Sequence, residues 1–574
     1  MTQGKARAPN PFLEQIPRIA PLVAAAVAFS FFINLLMFAS PLYMLQIYDR
    51  VVTTRSQSTL IALTAIIAFL LLVYALLEFI RSRVLVRVGI ALDDAVAEKA
   101  YSAVHRGHVS APQGNYEFGL RDLDTVREFL TGSGLIALCD APWFPIFILA
   151  CFVLHPLFGW VAVVGAVVTL ALTLLNERMT KAHLGHATTA NMRAARSAQT
   201  AFRNAEVMQA MGMVGGLKRQ WLAHHDDVLC AQAKASDWSG LIISSTKFFR
   251  MFLQSGVLGI GAYLVIHQEI SAGAIIAGSI FVGRALQPIE QVVGTWKNFN
   301  SAQGAYRRVR DLFAATQDGV ERMELPTPRG EIIADNIVAT PPGARRPPVL
   351  RGVSFHLAPG EAMAIVGPSA SGKSSLARVL VGVWPVVQGA LRLDGAELVH
   401  WEGAKLGEHI GYLPQDIELF GGTVAQNICR FQDADPRDVI DAAMLAGCHE
   451  MIQGLPEGYN TQIGDGGAAL SGGQRQRIGL ARAVYKTPVL IVLDEPNSNL
   501  DAAAEEALLA TVRRLKDIKR TVIVVSHIKH VLAAMDKVLV LKDGVVVKFG
   551  PIENVLTMPR AAVVPQHASA GGAA

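Results

Sequence analysis

Charge and cysteine are both scarce in this chain. Only 17% of its 574 residues are Asp, Glu, Lys or Arg, 51% are hydrophobic, and the mean hydropathy is +0.34. Such a composition is too apolar for an ordinary soluble protein and points to membrane spans. The formal net charge of +5 is mild for this length and offers no footing for nucleic-acid binding. Five cysteines, at 139, 151, 230, 429 and 448, form no C-x-x-C pair and no even framework. That excludes a disulfide scaffold, and they read as free, buried thiols in a reducing compartment. The length leaves room for two or three domains.

In places charge is missing altogether. Residues 19–48 and 56–77 hold no Asp, Glu, Lys or Arg, and each run suffices for a bilayer-spanning helix of about 20 residues. A third run, 141–176, is too long for one span; "HP" at 155–156 divides it into a hairpin with Asp140 in its first arm. A last pair, 251–268 and 270–289, is joined near "HQEI" and interrupted by Arg284. Six spans are expected. The joints near 50, 155 and 268 are short and hold only two basic residues, Arg50 and Arg55, whereas loops 78–128 and 177–250 are long, polar, helix-like and rich in Lys and Arg. The positive-inside bias places those loops, both termini and everything beyond 290 in the cytoplasm. The first run is about twice a signal-peptide core, so it reads as an uncleaved span. A helix using half of either long loop would extend the bundle by roughly 35–55 Å and could carry movement from a soluble domain. Asp140 and Arg284 are expensive in apolar surroundings; they sit at the cytoplasmic membrane edge or line the path of whatever is carried.

Past residue 290 the composition relaxes. A connecting helix over 296–315 and a Pro/Gly-bearing linker at 325–330 lead into short β-rich runs alternating with helices. The expected boundaries are a membrane domain over 1–320, an α/β domain over 321–560 and a disordered, small-residue tail over 561–574.

"EAMAIVG" (361–367) is an apolar strand that runs into "GPSASGKSS" (367–375), with "SSLARVLVGV" following as a helix. This is the context that the pattern G-x-x-x-x-G-K-S requires. Backbone N–H groups of Gly367, Pro368, Ser369, Ala370, Ser371, Gly372, Lys373, Ser374 and Ser375 (proline excepted) can close on nucleotide phosphates at a helix N-terminus. Lys373 adds a point charge, and the Ser374 hydroxyl is suited to Mg²⁺. "VLIVLDEP" (489–496) is a buried strand ending in two acids. Asp494 is placed to hold Mg²⁺, and Glu495 to polarise an attacking water as general base. "TVIVVSH" (521–527) ends another strand at His527, which would contact the γ-phosphate.

A second anion site raises a question of ownership. In "LSGGQRQRIGLARAVY" (470–485), Ser471, Gly472, Gly473 and Gln474 open a helix, roughly a hundred residues after the first cradle. In an open parallel sheet the chain's own nucleotide lies at the strand C-termini beside the first loop. The second site then meets a γ-phosphate most simply across a subunit interface. Two copies packed head to tail would share two ATP molecules.

Taken together, the P-loop, LSGGQ, "LDEP", "SNLD" (498–501) and the terminal histidine resemble the ABC transporters in order and spacing. The resemblance covers about 330–560. It implies that Gln415 in "GYLPQDIELF" faces the membrane domain and joins Ser374 and Asp494 at Mg²⁺, and that Asp501 lies in a loop crossing the dimer interface. It further implies an exporter-type half-transporter working as a homodimer of twelve spans. One departure stands out: the family stacks adenine on an aromatic ring a little under thirty residues before the P-loop, whereas "NIVATPPG" (336–343) offers only Ala339 and Thr340. Weaker base stacking is expected.

"SPLYMLQIYDRVV" (40–52), "CDAPWFPIFILACFVLHPLFGW" (139–160), "ALQPIEQVVGTW" (285–296) and "GYLPQDIELFGGTVAQNI" (411–428) resemble, more narrowly, the type I secretion exporters of Gram-negative bacteria that move metalloproteases, lipases or surface-layer proteins. The N-terminal peptidase-like domain of some members is not expected, since only 18 residues precede the first span. This implies a multi-pass protein of the bacterial inner membrane amid its lipids, a periplasmic adaptor, an outer-membrane channel, and a secreted cargo that is unfolded and carries a C-terminal signal. An exporter of lipids or small hydrophobic molecules is the alternative reading, and an ATP-gated channel a third. The complete LDEP and LSGGQ set argues against the channel, because gating alone needs no general base.

Overall fold

The computed structural model describes residues 11–111, 116–316, 325–343, 347–467, 469–498 and 502–555. The chain divides into two compact units, Met1–Arg106 with Asn115–Gln317, and Gly107–Gly114 with Asp318–Ala574.

Among the described residues, six helices are long and apolar enough to cross a membrane: Pro17–Thr54, Gln57–Ser110, Ser133–Leu154, Pro156–Arg203, Val214–Ile266 and Ala272–Ala315. All six expected spans are among them. The polar loops are largely helical and extend the bundle, as expected: Gln57–Ser110 is one 54-residue helix, about 80 Å long at 1.5 Å per residue, and Gly119–Thr131 is a separate helix in the same loop. The connecting helix expected at 296–315 is likewise the end of Ala272–Ala315.

The break at "HP" has a local cause. Pro156 forces the preceding residue out of the helical region, and His155 is extended at φ −166° and ψ 139°. Its Nδ1 then accepts from the Leu157 N–H and caps the next helix. The last spanning helix is capped from its own joint by Ser271 and from another by Asp49, whose carboxylate accepts from Ser271 Oγ at 2.5 Å and from the Gly273 N–H at 2.9 Å. Asp49 lies in a π-helical turn, Ile47–Val51, the kind of irregularity that re-aims a side chain.

Between the helices, Phe147, Phe158 and Phe281 are fully buried, and Phe38 stacks on Phe147 with ring centroids 4.8 Å apart. Of the two charges singled out in the sequence, Asp140 is buried within the helix bundle. Its Oδ1 accepts from Arg81 Nη1 at 2.7 Å and from Asn34 Nδ2 at 3.2 Å, and Arg81 also donates to Ser30. Arg284 donates to Gln287 Oε1 at 2.9 Å on its own helix. Four cysteines are buried as expected, but Cys230 is exposed, on helix Val214–Ile266.

Ten strands lie among the described residues of the second unit: β1 (Ile332–Ala339), β2 (Leu350–Leu357), β3 (Ala362–Val366), β4 (Gln388–Leu393), β5 (Ala396–Glu397), β6 (Ile410–Leu413), β7 (Leu490–Asp494), β8 (Thr521–Val525), β9 (Lys537–Lys542) and β10 (Val545–Pro551). They form an antiparallel sheet ordered β2-β1-β4-β5 and a six-stranded sheet ordered β10-β9-β3-β8-β7-β6, parallel except at β10. β7 and β8 are buried along their whole length, which explains their unbroken Val/Leu/Ile runs. Alternate residues face opposite cores: Leu493 and Val524 point into one, Val492 and Ile523 into the other. Each such side chain contributes about 1.5–3 kcal/mol, so a charge at Val524 would unseat the strand that centres the site.

Candidate functional site

Parallel register brings the chemistry to one edge. Ile365 of β3 and Asp494 of β7 both pair with Val525 of β8. The segments that follow, at Gly367, Glu495 and Ser526–His527, therefore leave the sheet side by side, as expected at strand C-termini.

Gly367 opens the phosphate loop because nothing larger fits: a Cβ there would stand 2.1 Å from the Leu541 carbonyl oxygen. Ala370 at φ 63° and Gly372 at φ 99° take the left-handed conformation that folds the loop back on itself. Gly372 then caps helix Lys373–Leu380, whose first N–H groups have no carbonyl of their own to bond. Lys373 Nζ donates to the carbonyls of Gly367 at 2.9 Å and Pro368 at 3.0 Å, so the ammonium lies over the loop.

Across from the loop, Ser374 Oγ donates to Asp494 Oδ1 at 3.2 Å. The other oxygen of this buried carboxylate, Oδ2, has no hydrogen-bond partner. Burial, first, and the neighbouring charge of Glu495 push the Asp494 carboxyl above the usual carboxylate range, while the Ser374 bond pulls the other way. A hydroxyl and an orphaned carboxylate oxygen are hard donors that suit Mg²⁺. Glu495 is held at φ 50°, a strained conformation for a residue with a side chain, by its N–H bond to the Val525 carbonyl. Gln415 Nε2 donates to Glu495 Oε2 at 2.8 Å. The geometry thus joins Gln415 to Glu495 and Ser374 to Asp494. His527 stands exposed just past β8.

At the second cradle, Ser471 and Gln474 bond each other. Ser471 Oγ accepts from the Gln474 N–H and Gln474 Oε1 from the Ser471 N–H, a capping box that opens helix Gly472–Val484. Gly472 and Gly473 carry the next helix-opening N–H groups, which lack intrahelical acceptors. Sequence reasoning missed Gln476: buried one turn on, its Nε2 donates to the Pro496 carbonyl and ties this helix to the turn that bears Glu495. A polar residue on the inward face of an amphipathic helix was the available signal. Asp501 lies outside the described residues, as does the tail. Ala339 is fully buried in β1, so the ring expected to be missing there would have had no access to a base.

Residues 350–498 match the ABC transporter family, and residues 23–288 its ABC transporter transmembrane region. The type I secretion system ATP-binding protein PrsD of Rhizobium meliloti (strain 1021) is 42% identical over 97% of this chain and 96% of its own. The chain belongs to the ABC transporters of type I secretion. The cyclolysin secretion/processing ATP-binding protein CyaB of Bordetella pertussis is 28% identical over 95% of this chain and 77% of its own. A solved bacterial Atm1-family ABC exporter with ATP bound shares the fold, with a TM-score of 0.77 at 22% identity over 94% of this chain and 96% of that one. As a type I secretion ABC transporter, the chain is a multi-pass membrane protein with six apolar helices and an ATP-binding ATPase domain.

Proposed function

We propose that this ABC transporter couples ATP hydrolysis to the export of an unfolded protein across the bacterial inner membrane. The observation that carries the reading is the pair of bonds at the sheet edge, Ser374 to Asp494 and Gln415 to Glu495, in a chain 42% identical to a type I secretion ATP-binding protein over almost its full length. Two domains divide the work: 1–320 forms the membrane path, and 321–560 binds nucleotide in the cytoplasm.

In the proposed mechanism, the N–H groups of 367–375 cradle the phosphates, and Lys373 leaves its two loop carbonyls for them. Ser374, Gln415 and Asp494 would hold Mg²⁺, which neutralises charge on the phosphate oxygens. Glu495 takes a proton from the attacking water as its oxygen adds to the γ-phosphorus and the bond to ADP breaks. His527 contacts the γ-phosphate. Ser471, Gly472, Gly473 and Gln474 complete the site of a second copy, with Asp501 in the loop between copies, so that the working unit is a homodimer.

Outside the chain, the reading requires a periplasmic adaptor, an outer-membrane channel and a cargo with a C-terminal signal. The test is ATPase activity of the purified protein in lipid. Stimulation by an unfolded, signal-bearing polypeptide is expected; stimulation by lipid alone, with no response to polypeptide, would overturn the cargo assignment.

A further inference from the structure

Arg430 stands just past the end of helix Val424–Ile428, where the Phe431 N–H bonds back to the Gln426 carbonyl and the chain turns left-handed, as helix ends commonly do. Both Arg430, at φ 58°, and Phe431, at φ 57°, are left-handed. From there the guanidinium donates four hydrogen bonds, and every acceptor is a backbone carbonyl. Nη1 reaches Gly407 at 2.6 Å and Ile410 at 3.2 Å, Nε reaches Arg482 at 3.1 Å, and Nη2 reaches Ala483 at 3.2 Å. Burial and the nearby Arg482 charge lower its affinity for the proton, although an arginine remains a cation in a protein.

Those carbonyls belong to three elements that serve the ATP site. Arg482 and Ala483 lie in the last turn of helix Gly472–Val484, which begins at the LSGGQ cradle. Carbonyls there lack intrahelical partners and sit at the negative end of the helix dipole, where a cation is favoured. Ile410 opens β6, which leads within a few residues to Gln415 and its bond to Glu495. Gly407 lies in the helix Gly403–His409 that delivers the chain to β6. Two glycines show how closely the parts are seated. A Cβ at Gly411 would stand 2.1 Å from the Ala483 carbonyl oxygen, and one at Gly479 would press on Leu413 and Ile417, each at 3.0 Å.

We propose that Arg430 is a positioning residue for ATP hydrolysis, fixing the LSGGQ helix against the β6–Gln415 segment through their backbone carbonyls. Its four bonds all go to backbone carbonyls, none of them in the P-loop. It sets the angle at which the helix presents Ser471 while Gln415 orients Glu495. The inference rests on the reading that Ser471–Gln474 meet a nucleotide held by a second copy.

The test compares Arg430→Met and Arg430→Lys in the purified full-length protein. It measures bound nucleotide per chain, ATP affinity and kcat. Methionine keeps the stem and loses every donor. Nucleotide stoichiometry and affinity should stay within twofold of the parent, because the P-loop shares no bond with Arg430, while kcat falls about 10–10²-fold, the range a small misplacement can cost. Lysine should give an intermediate kcat, since one ammonium cannot span both sets of carbonyls. A residue that only stabilises the fold would lower stoichiometry and kcat in proportion, and that result overturns the proposal, as does an unchanged kcat. If Arg430→Met does not fold, Arg430→Lys decides by the same criteria. Ser471→Arg, assayed alongside, separates the two claims: full activity in that variant sinks the shared-site reading, whatever the Arg430 variants do.

Discussion

Gln415 Nε2 lies 2.8 Å from Glu495 Oε2 and donates to it. The carboxylate assigned to the attacking water is therefore aimed by an amide that reaches it from the end of β6. Glu495→Gln preserves an oxygen that can accept this bond, so the turn should keep its shape. ATP binding should persist while turnover falls ~10²–10⁴-fold, the usual contribution of a general base. Turnover within threefold of the parent, by phosphate release, would remove Glu495 from that role.

The division of each site between copies is tested by complementation. Lys373→Ala and Ser471→Arg proteins should each be inactive alone. Mixed, they form dimers in which one composite site carries both lesions and the other carries none, and some hydrolysis should return. In a tethered dimer, activity with both lesions in one half and none with the lesions split would favour sites closed within a single chain.

Ala339 invites a ring that the fold does not admit. Its side chain is fully buried between neighbours of the β1 core, and overpacking such a position costs about 1–3 kcal/mol. Ala339→Tyr should lower the melting temperature without tightening ATP. Half-exposed Thr340 is the better place for the ring; titration of both variants with ATP and GTP checks the difference.

Burial pushes the Cys448 thiol up to about 12 from its ordinary 9.0. Because the folded value is raised, the stabilising contribution is complete below pH 9.0 and is lost as pH climbs through about 12. Only thiolates react with maleimides. The native protein at neutral pH should label at exposed Cys230 and not at Cys448, as read by peptide mass spectrometry; labelling of Cys448 at the Cys230 rate would contradict the packing.

Unfolded passage predicts a folding race. A fast-folding domain fused ahead of the cargo's C-terminal signal should stall export, and a destabilised variant of that domain should restore it. Equal export rates for the two fusions would rule out the unfolded-chain reading.

Much of this was legible in the sequence, for identifiable reasons. Charge-free runs mark six helices because a bilayer tolerates nothing else, and the motifs at 367–375, 471–474 and 494–495 declare themselves through strand and helix context. The extension of the helices past Glu78 and Glu177 was legible too, since the loops there read as helix-like; where each helix ends, at Ser110 and Arg203, was not. Ala339 misled because β1 is irregular: register shifts between Ala334 and Ile337, beside Asn336 at φ 45°, reset which side chains face the core. Gln476 and Arg430 act on backbone carbonyls; the inward-facing polar side chain of Gln476 was a signal, but its acceptor, a carbonyl, leaves no mark in a sequence.

Asp140 and Arg81 neutralise each other, yet the ribosome makes them 59 residues apart. At about 5–20 residues per second, the arginine waits several seconds for its counter-ion. During that interval Arg81, at the end of the second helix's apolar run, has only the 3.8 Å pairing with Glu78 one turn back on its own helix. Insertion of this protein is thus a timed event: Ser30 and Glu78 are there to meet Arg81 from the start, but its closest charged partner comes only with the third helix, and a chain arrested between residues 81 and 140 would lack it.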